Sequence, residues 1–298
     1  MVKKRSRIIP GVKVMLLSLA AACLMSGLFL LRAEAASDSE RYAFSDIVTD
    51  PDVTAGLETG HASDGYVVAR YLGDKERARV TITGPDGSTT PWPLNKDEET
   101  VIALTSGSGP YRAMFYEDTG NFNFAAIFET VFIATLKDPL APFLASDYYV
   151  PYTEDSACVK KAHELYDAAG GDEKSFIRDV YRFITSTVVY DEDLAGELYA
   201  DYRPDPDRTL EEGKGICLDY TALMAAMLRS CGVPARVMTG NFGAYYHSWI
   251  TCAPRGKDNL TEDIAWQIYD PTLGASNDSG DVARVLGSKR DYALRYIY

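Results

Sequence analysis

Histidine is scarce in this chain, which has three among 298 residues, at positions 61, 163 and 247. Cysteine is sparse too, with five residues and no paired C-x-x-C motif. Zinc sites need such ligands at close spacing, and the acidic run DEDLAGE lacks the ligand spacing of a calcium loop. We therefore expect neither a metal site nor another cofactor.

Positive charge is also short. Lys and Arg number 30 against 43 Asp and Glu, which gives a formal net charge of -13. The first 35 residues hold six Lys and Arg and one Glu, so the net charge of the remainder is -18. Nucleic-acid binding needs basic stripes and is therefore not expected. Hydrophobic residues are 46% and charged residues 24%, as in ordinary globular proteins, and the length suggests two domains.

The N-terminal 35 residues have the anatomy of an export signal. MVKKRSR is followed by an apolar run over 14–31 and by Ala33-Glu34-Ala35, which predicts cleavage after Ala35. The run is also just long enough to remain as a membrane anchor, and LAAAC ending at Cys23 resembles a lipoprotein signal. Each alternative predicts a secreted or extracytoplasmic, cell-surface protein, with a membrane contact only through an uncleaved anchor.

Four cysteines follow the leader, namely Cys158, Cys217, Cys231 and Cys252. An even number in an exported protein is compatible with two disulfides, but four are too few for a disulfide scaffold. A Cys231–Cys252 pairing stays open, and at least one thiol is a candidate for chemistry.

Pattern changes divide the chain. Residues 36–64 are polar and aperiodic and predict a linker. Short β-rich runs separated by Gly, Asp, Asn and Pro predict a small all-β sandwich over 65–138. Residues 139–298 then change to a helical period, with a helix from a Thr153 cap to about Ala169, a second over 172–188 and a long acidic loop. Strand candidates close this second domain, so we predict an α+β fold.

Cys217 begins the apolar stretch CLDYTALMAAMLRS, which predicts a helix buried on nearly every side. Unpaired N–H groups at a helix start stabilise a thiolate, as a nucleophile requires. Gly213 and Gly215 permit a sharp entry turn. The alternative is that Cys217 is a small buried hydrophobe.

A thiol nucleophile needs a base, and the base needs an orienting group. His61 lies in the linker and His163 between Lys161 and Glu164, so both are expected at the surface. His247 opens the strand HSWITC, and Asp270 ends the strand AWQIYD. A strand pair places such residues together, although a histidine at a sheet edge and a turn carboxylate explain each separately.

The motifs GKGICLDY, HSW and YDPT, in this order over about 150–275, closely resemble the transglutaminase-like superfamily of papain-like cysteine enzymes. The resemblance implies a papain-like core, a buried helix on an antiparallel sheet, with Cys217 as nucleophile, His247 as base and Asp270 as orienting carboxylate. Gly215, Asp219 and Trp249 would have structural roles beside the site. The preceding sandwich resembles the accessory domain of exported bacterial relatives.

The resemblance also implies acyl transfer with two oxyanion donors. One is the backbone N–H of Cys217. Papain-like proteases supply a glutamine as the second donor and animal transglutaminases a tryptophan, but Gln267 is the single Gln and no Trp lies between Trp92 and Cys217. Tyr190 and then Tyr202 are the candidates, with packing roles as the alternative.

These observations predict a cysteine peptidase or amidase that acts on peptide or glutamine-type amide bonds of a peptide, a protein or a cell-wall component. One alternative is a cross-linking transglutaminase. The other is a non-catalytic surface module on the same fold, which the complete set of three residues disfavours.

Overall fold

A computed structural model describes residues 54–121, 123–197, 201–255, 265–276 and 292–298. The predicted leader over 1–35 and most of the predicted linker lie outside these residues. Within the described ranges, no helix combines the length and the apolar character needed to cross a membrane.

The first part of the fold is all β. Its seven strands are β1 (Ala55–Glu58), β2 (Tyr66–Tyr71), β3 (Ala78–Thr83), β4 (Thr89–Leu94), β5 (Glu99–Ala103), β6 (Gly109–Gly120) and β7 (Asn123–Ala134). They form two antiparallel sheets with the orders β1-β2-β5 and β4-β3-β6-β7. Both sheets contribute to one buried cluster, which includes Val67, Trp92 and Phe115. Alternating apolar side chains on strands of both sheets produce this shared interior.

The segment predicted as a linker contributes β1 and a 3₁₀ turn over Ala62–Asp64. Ala55 pairs with Tyr71 in an antiparallel register, and the side chains of Ala55 and Leu57 are buried. Only these two apolar side chains alternate along β1, so the polar composition of the surrounding sequence concealed the strand.

The second part begins with helices. They are α1 (Ala157–Ala168), α2 (Glu173–Thr187), α3 (Glu192–Glu197), α4 (Pro206–Glu212), α5 (Cys217–Ser230) and α6 (Pro271–Ser276). Helix α1 begins at Ala157 and not at the predicted Thr153 cap, because the Asp207 carboxylate accepts the N–H groups of Ala157 and Cys158 over 3.0 and 2.8 Å. This contact joins positions 50 residues apart, so no local pattern reveals it.

The strands of the second part are β8 (Val189–Tyr190), β9 (Lys214–Gly215), β10 (Ala235–Phe242), β11 (Tyr245–Cys252), β12 (Gln267–Tyr269) and β13 (Tyr292–Ile297). Four of them form an antiparallel sheet in the order β12-β11-β10-β13, and the short strands β8 and β9 pair in parallel. Helices followed by an antiparallel sheet confirm the predicted α+β fold.

Helix α5 is the centre of this second part. Ten of its residues are at most 1% exposed, among them Tyr220, Leu223 and Met224. Its sequence is apolar on nearly every side, and neighbouring helices and the sheet cover it accordingly. Its C-terminal end is fixed by Arg229, whose guanidinium donates to Asp147 over 2.7 Å and to the carbonyl of Tyr298 over 3.1 Å. The rigid helix holds its first residue, Cys217, in a defined place.

Candidate active site

Cys217 is the first residue of α5 and is 8% exposed. Asp219, two residues further, accepts the backbone N–H of Ile216 with Oδ2 over 2.9 Å and so fixes the entry into the helix. A Cβ atom on Gly215 would lie 2.6 Å from the Asp219 Cβ, so only glycine fits there. As the first residue of the helix, Cys217 has an N–H group with no carbonyl one turn before it.

His247 and Asp270 come together through strand pairing. Strand β11 carries His247, and its Ile250 pairs with Tyr269 at the end of β12. Continuing this register places Asp270 diagonally from His247 on the same face, within reach of a long side chain. Helix α5 is joined to the same strand, since Thr221 Oγ1 lies 2.8 Å from Ser248 Oγ. One strand therefore positions the imidazole toward both the helix start and the carboxylate.

The carboxylate of Asp270 is fully buried and held on both oxygens. Oδ2 lies 2.7 Å from His247 Nε2 and accepts the hydroxyl of Tyr292 over 2.9 Å, while Oδ1 accepts the N–H of Leu273 over 3.0 Å. Tyr181 also donates to the backbone carbonyl of Asp270 over 3.3 Å. With Nε2 engaged by the carboxylate, Nδ1 of His247 remains for the thiol of Cys217.

Two opposing effects act on the pKa of His247. Burial of the imidazole lowers it, but the charge and hydrogen bond of Asp270, together with the hydrogen-bonding Cys217 thiol, raise the pKa from 6.5 to about 10. The effect of Asp270 on this pKa exceeds that of burial, because the carboxylate is in direct contact with the imidazole at 2.7 Å. The site thus favours the protonated, imidazolium form of His247.

Tyr190 lies beside the helix start because β8 pairs with β9, with Tyr190 opposite Gly215. Its hydroxyl is buried and has no hydrogen-bond partner among the described residues. Burial, followed by the nearby charge of Cys217, raises the pKa of Tyr190 above its usual range. The phenol therefore keeps its proton and has it available for donation.

Tyr202 has a different placement. Its hydroxyl donates to Asp219 Oδ1 over 2.8 Å and accepts from the guanidinium of Arg208. A phenol has one proton, and here that proton goes to Asp219. Burial raises the pKa of Asp219, against the effect of its hydrogen bonds. Tyr202 thus supports the helix entry through Asp219. Of the two tyrosines, only Tyr190 has a hydroxyl proton that is not already donated within the described structure.

Aromatic rings enclose the His247–Asp270 pair. The Phe242 ring lies 5.9 Å from His247 and 4.9 Å from Tyr292, and Trp249 lies 4.8 Å from Tyr292. Trp249 is 2% exposed and so has a packing position beside the site. Tyr292 was not anticipated as a site residue: the alternation in DYALRYIY predicts its strand, but nothing local indicates that β13 pairs with β10.

The remaining ionisable candidates are placed elsewhere. His61 and His163 are exposed, and His61 stacks on Tyr66 at 4.7 Å. The four cysteines in the described ranges, Cys158, Cys217, Cys231 and Cys252, are all free. The same ranges contain no group of three or more His, Cys, Asp or Glu side chains arranged to hold a metal ion.

One family model matches the part of the chain that contains Cys217, His247 and Asp270. Residues 160–271 match the model of the Transglutaminase-like superfamily. UPF0252 protein MJ1282 of Methanocaldococcus jannaschii is 28% identical over 95 residues, which cover 28% of this chain and 27% of that relative. The chain thus spans about a quarter of the length of the curated relative it matches.

Solved structures to which the chain is similar share little sequence with it. The periplasmic domain of TgpA from Pseudomonas aeruginosa is 14% identical, with 74% of each chain covered and a TM-score of 0.36. LapG from Legionella pneumophila is 19% identical, covering 46% of this chain and 72% of that chain, with a TM-score of 0.35. Red sea bream transglutaminase is 14% identical, covering 70% and 48%, with a TM-score of 0.30.

Proposed function

We propose that this chain, whose residues 160–271 form a transglutaminase-like domain, is an exported cysteine-dependent acyl-transfer enzyme that hydrolyses peptide or glutamine-type amide bonds. The observation that carries the proposal is the buried imidazole of His247, which interacts with Cys217 on one side and lies 2.7 Å from Asp270 on the other. A nucleophile, a base and an orienting group in this order are the parts that thiol catalysis requires.

In the proposed reaction, the Cys217 thiolate attacks the carbonyl carbon of the substrate and a C–S bond forms. The C–N bond then breaks, and the leaving amine takes the proton of the His247 imidazolium. Water next gives a proton to His247 and attacks the thioester, the C–S bond breaks, and thiolate and imidazolium are restored. Asp270 stays ionised throughout and stabilises the imidazolium.

The oxyanion of each tetrahedral intermediate needs donors at a fixed place. We assign this role to the backbone N–H of Cys217 and the phenol of Tyr190. The first is the N–H of the first helical residue, which has no carbonyl one turn before it, and the second is a buried hydroxyl without a partner in the described structure. A donor that pairs only with the intermediate stabilises the transition state more than the ground state.

An apolar group of side chains beside the proposed catalytic residues supports a peptide substrate. Phe242, Tyr245 and Tyr190 form a partly buried apolar group around Leu273, and this group borders the catalytic residues. Such side chains bind the apolar parts of an extended peptide. The net charge of the chain, -13, adds a long-range preference for cationic peptides. An extracytoplasmic, cell-surface location follows from the predicted N-terminal signal and belongs to this proposal.

Alkylation of the intact protein by iodoacetamide tests the proposal. Mass spectrometry of each labelled cysteine across pH reports the reactivity of Cys217. The internal reference is Cys231, a partly exposed thiol whose pKa burial raises to about 11. We expect Cys217 to react well below pH 8, and His247→Ala to remove this reactivity. Reaction only above about pH 8, as for an ordinary cysteine, would refute the enzyme and favour a binding module.

A second measurement separates hydrolysis from cross-linking. A peptide library with basic and apolar residues is incubated with and without an added primary amine. We expect products that gain water in both cases, because the sequence gives no indication of a tryptophan-walled channel that would keep water from the thioester. Products that gain the amine instead would identify a transglutaminase.

A further inference from the structure

The β-sandwich contacts the second part of the chain through a cluster of charges. Arg77 Nε donates to Asp201 Oδ2 over 2.9 Å, and Arg79 Nη2 donates to Asp201 Oδ1 over 2.6 Å. The two oxygens of one carboxylate thus receive two guanidinium groups from the start of β3. The Phe124 ring lies 4.7 Å from the Arg79 guanidinium and 5.6 Å from that of Arg77, so an aromatic surface supports both cations.

This contact differs from ordinary surface ion pairs. The side chains of Arg77, Arg79 and Asp201 are 30%, 16% and 29% exposed, so solvent screens them only in part. Tyr148 also donates to the backbone carbonyl of Asp201 over 3.3 Å. Both the side chain and the backbone of Asp201 are therefore fixed, which an exposed pair of flexible side chains does not achieve.

The residue after Asp201 leads to the nucleophile. Tyr202 donates to Asp219 Oδ1 over 2.8 Å, and Asp219 Oδ2 accepts the N–H of Ile216 over 2.9 Å. Ile216 directly precedes Cys217. Asp201 and Tyr202 thus connect the β-sandwich with the start of α5. The side chain of Asp201 binds the sandwich, and the side chain of Tyr202 binds Asp219, whose carboxylate fixes the entry into α5.

From this continuous series we propose that the β-sandwich positions the nucleophile through the Arg77/Arg79–Asp201 contact, with Asp201 as a positioning residue for Cys217. The inference rests on the proposed function, since it names the residues that position Cys217 as the nucleophile. The buried carboxylate of Asp219 has three possible partners: the N–H of Ile216, the hydroxyl of Tyr202 and the guanidinium of Arg208 at 3.9 Å. Holding Tyr202 in place keeps Oδ2 on Ile216, and the helix start keeps the geometry that stabilises the thiolate.

The contact joins the β-sandwich to the second part of the chain, beside apolar contacts such as that of Trp92 with Tyr298 at 5.1 Å. Arg77 and Arg79 precede Asp201 by 124 and 122 residues in the sequence, so the contact exists only when both parts are folded and docked. A catalytically ready helix start therefore depends on docking. Coupling of this kind between linked contacts changes a rate or an equilibrium by about 2- to 30-fold.

The test uses the full chain and the alkylation of Cys217 across pH, with kcat and KM for a peptide substrate where one has been found. In Asp201→Asn and Arg79→Ala we expect the reaction of Cys217 at neutral pH to be about 2- to 30-fold slower and its rise with pH to begin at a higher pH. We also expect a lower kcat at similar KM. Combining the two changes should cost no more than Asp201→Asn alone, because Asp201→Asn already removes the partner of both Arg77 and Arg79.

Three further variants make the test decisive. Tyr202→Phe removes the hydrogen bond to Asp219 and leaves the Arg77/Arg79–Asp201 contact intact. It should also slow the alkylation of Cys217 and shift its pH dependence upward, and this result does not depend on whether Arg79→Ala folds. Arg79→Lys keeps a cation and should restore part of the rate lost in Arg79→Ala. Asp64→Asn removes the exposed Lys137–Asp64 ion pair of the same sandwich and should leave the profile unchanged.

The outcomes distinguish this inference from the proposed function. If Cys217 of the wild type reacts no faster than Cys231, the proposed function fails whatever the variants do. If Cys217 is reactive in the wild type and its pH profile is the same in Asp201→Asn and Tyr202→Phe, the proposed function stands. The Asp201 contact is then only structural and the inference is overturned.

Discussion

Tyr292 donates a hydrogen bond to Asp270 over 2.9 Å, to the same carboxylate oxygen that lies 2.7 Å from His247. The other oxygen accepts the N–H of Leu273. The carboxylate therefore cannot rotate without losing a partner, and it holds the imidazole in one orientation. A tyrosine of the last described strand thus acts on the proposed base through a second residue.

Removing the Tyr292 hydroxyl should weaken catalysis while leaving the fold intact. Tyr292→Phe keeps the ring contacts with Phe242 and Trp249 but removes one hydrogen bond to a charged group. Removing an outer partner that orients a catalytic group typically costs about 10- to 100-fold in activity, so we expect kcat/KM to fall by about tenfold or more. Tyr296→Phe, on the same strand, is the matched control and should keep its activity. Equal activity of both variants would show that the Tyr292 hydroxyl does not support Asp270.

The raised pKa of His247 should depend on the charge of Asp270. Asp270→Asn removes that charge at nearly the same volume, and burial then acts to lower the pKa. We expect His247 to titrate near pH 10 in the wild type and near or below pH 6.5 in the variant. The chain has three histidines, so their ring protons can be followed by NMR. The exposed His61 and His163 are internal references, and a wild-type His247 that titrates near pH 6.5 would contradict the geometry.

The same ionisation should make the stability of the fold depend on pH. The folded-state pKa of His247, about 10, exceeds its usual value of 6.5, so its stabilisation is complete below about pH 6.5 and is lost as pH rises to about 10. Between these limits its contribution falls by up to about 1.4 kcal/mol per pH unit. Urea unfolding of the wild type and of His247→Gln should therefore give free energies that converge toward pH 10. A difference that is constant between pH 6.5 and 10 would argue against a raised pKa.

Tyr190 should affect the rate more than the stability. Tyr190→Phe removes a buried hydroxyl that has no partner in the described structure, so the free energy of unfolding should stay equal or rise slightly. Loss of one oxyanion donor lowers kcat by about 100-fold or more, and we expect an effect of this order at similar KM.

Tyr220 offers the matched control for this change. Its buried hydroxyl donates to the carbonyl of Val188 over 2.7 Å, so Tyr220→Phe should lower the free energy of unfolding by about 1 kcal/mol and leave kcat unchanged. If Tyr190→Phe loses stability and keeps kcat, as expected for Tyr220→Phe, Tyr190 has a packing role.

Local patterns predicted the elements that carry the site. The apolar stretch after Cys217 indicated a buried helix, and α5 spans Cys217–Ser230 with nearly all of its side chains buried. The short runs between turn residues indicated the strands of the sandwich. These predictions succeed because hydrophobic period and turn chemistry act over a few residues and are visible in the sequence itself.

Contacts between distant segments could not be predicted in this way. The motifs indicated Cys217, His247 and Asp270. The contacts of Tyr292, Asp201 and the Tyr202 hydroxyl depend instead on which strands pair and on how the β-sandwich packs against the second part of the chain. The same limit applies to β1, whose strand pairing draws a polar segment into the sandwich.

By itself, the sequence determined the α+β class, the position of a thiol at a helix start and the residues available to act on it. Only the tertiary structure decided which side chain faces which atom: that Asp270 is shared by His247 and Tyr292, and that the Tyr202 proton goes to Asp219 while that of Tyr190 stays unused. The physical reason is that propensity and periodicity are properties of neighbours along the chain. A hydrogen bond inside the fold depends on the three-dimensional position of both partners, which the packing of the whole chain sets.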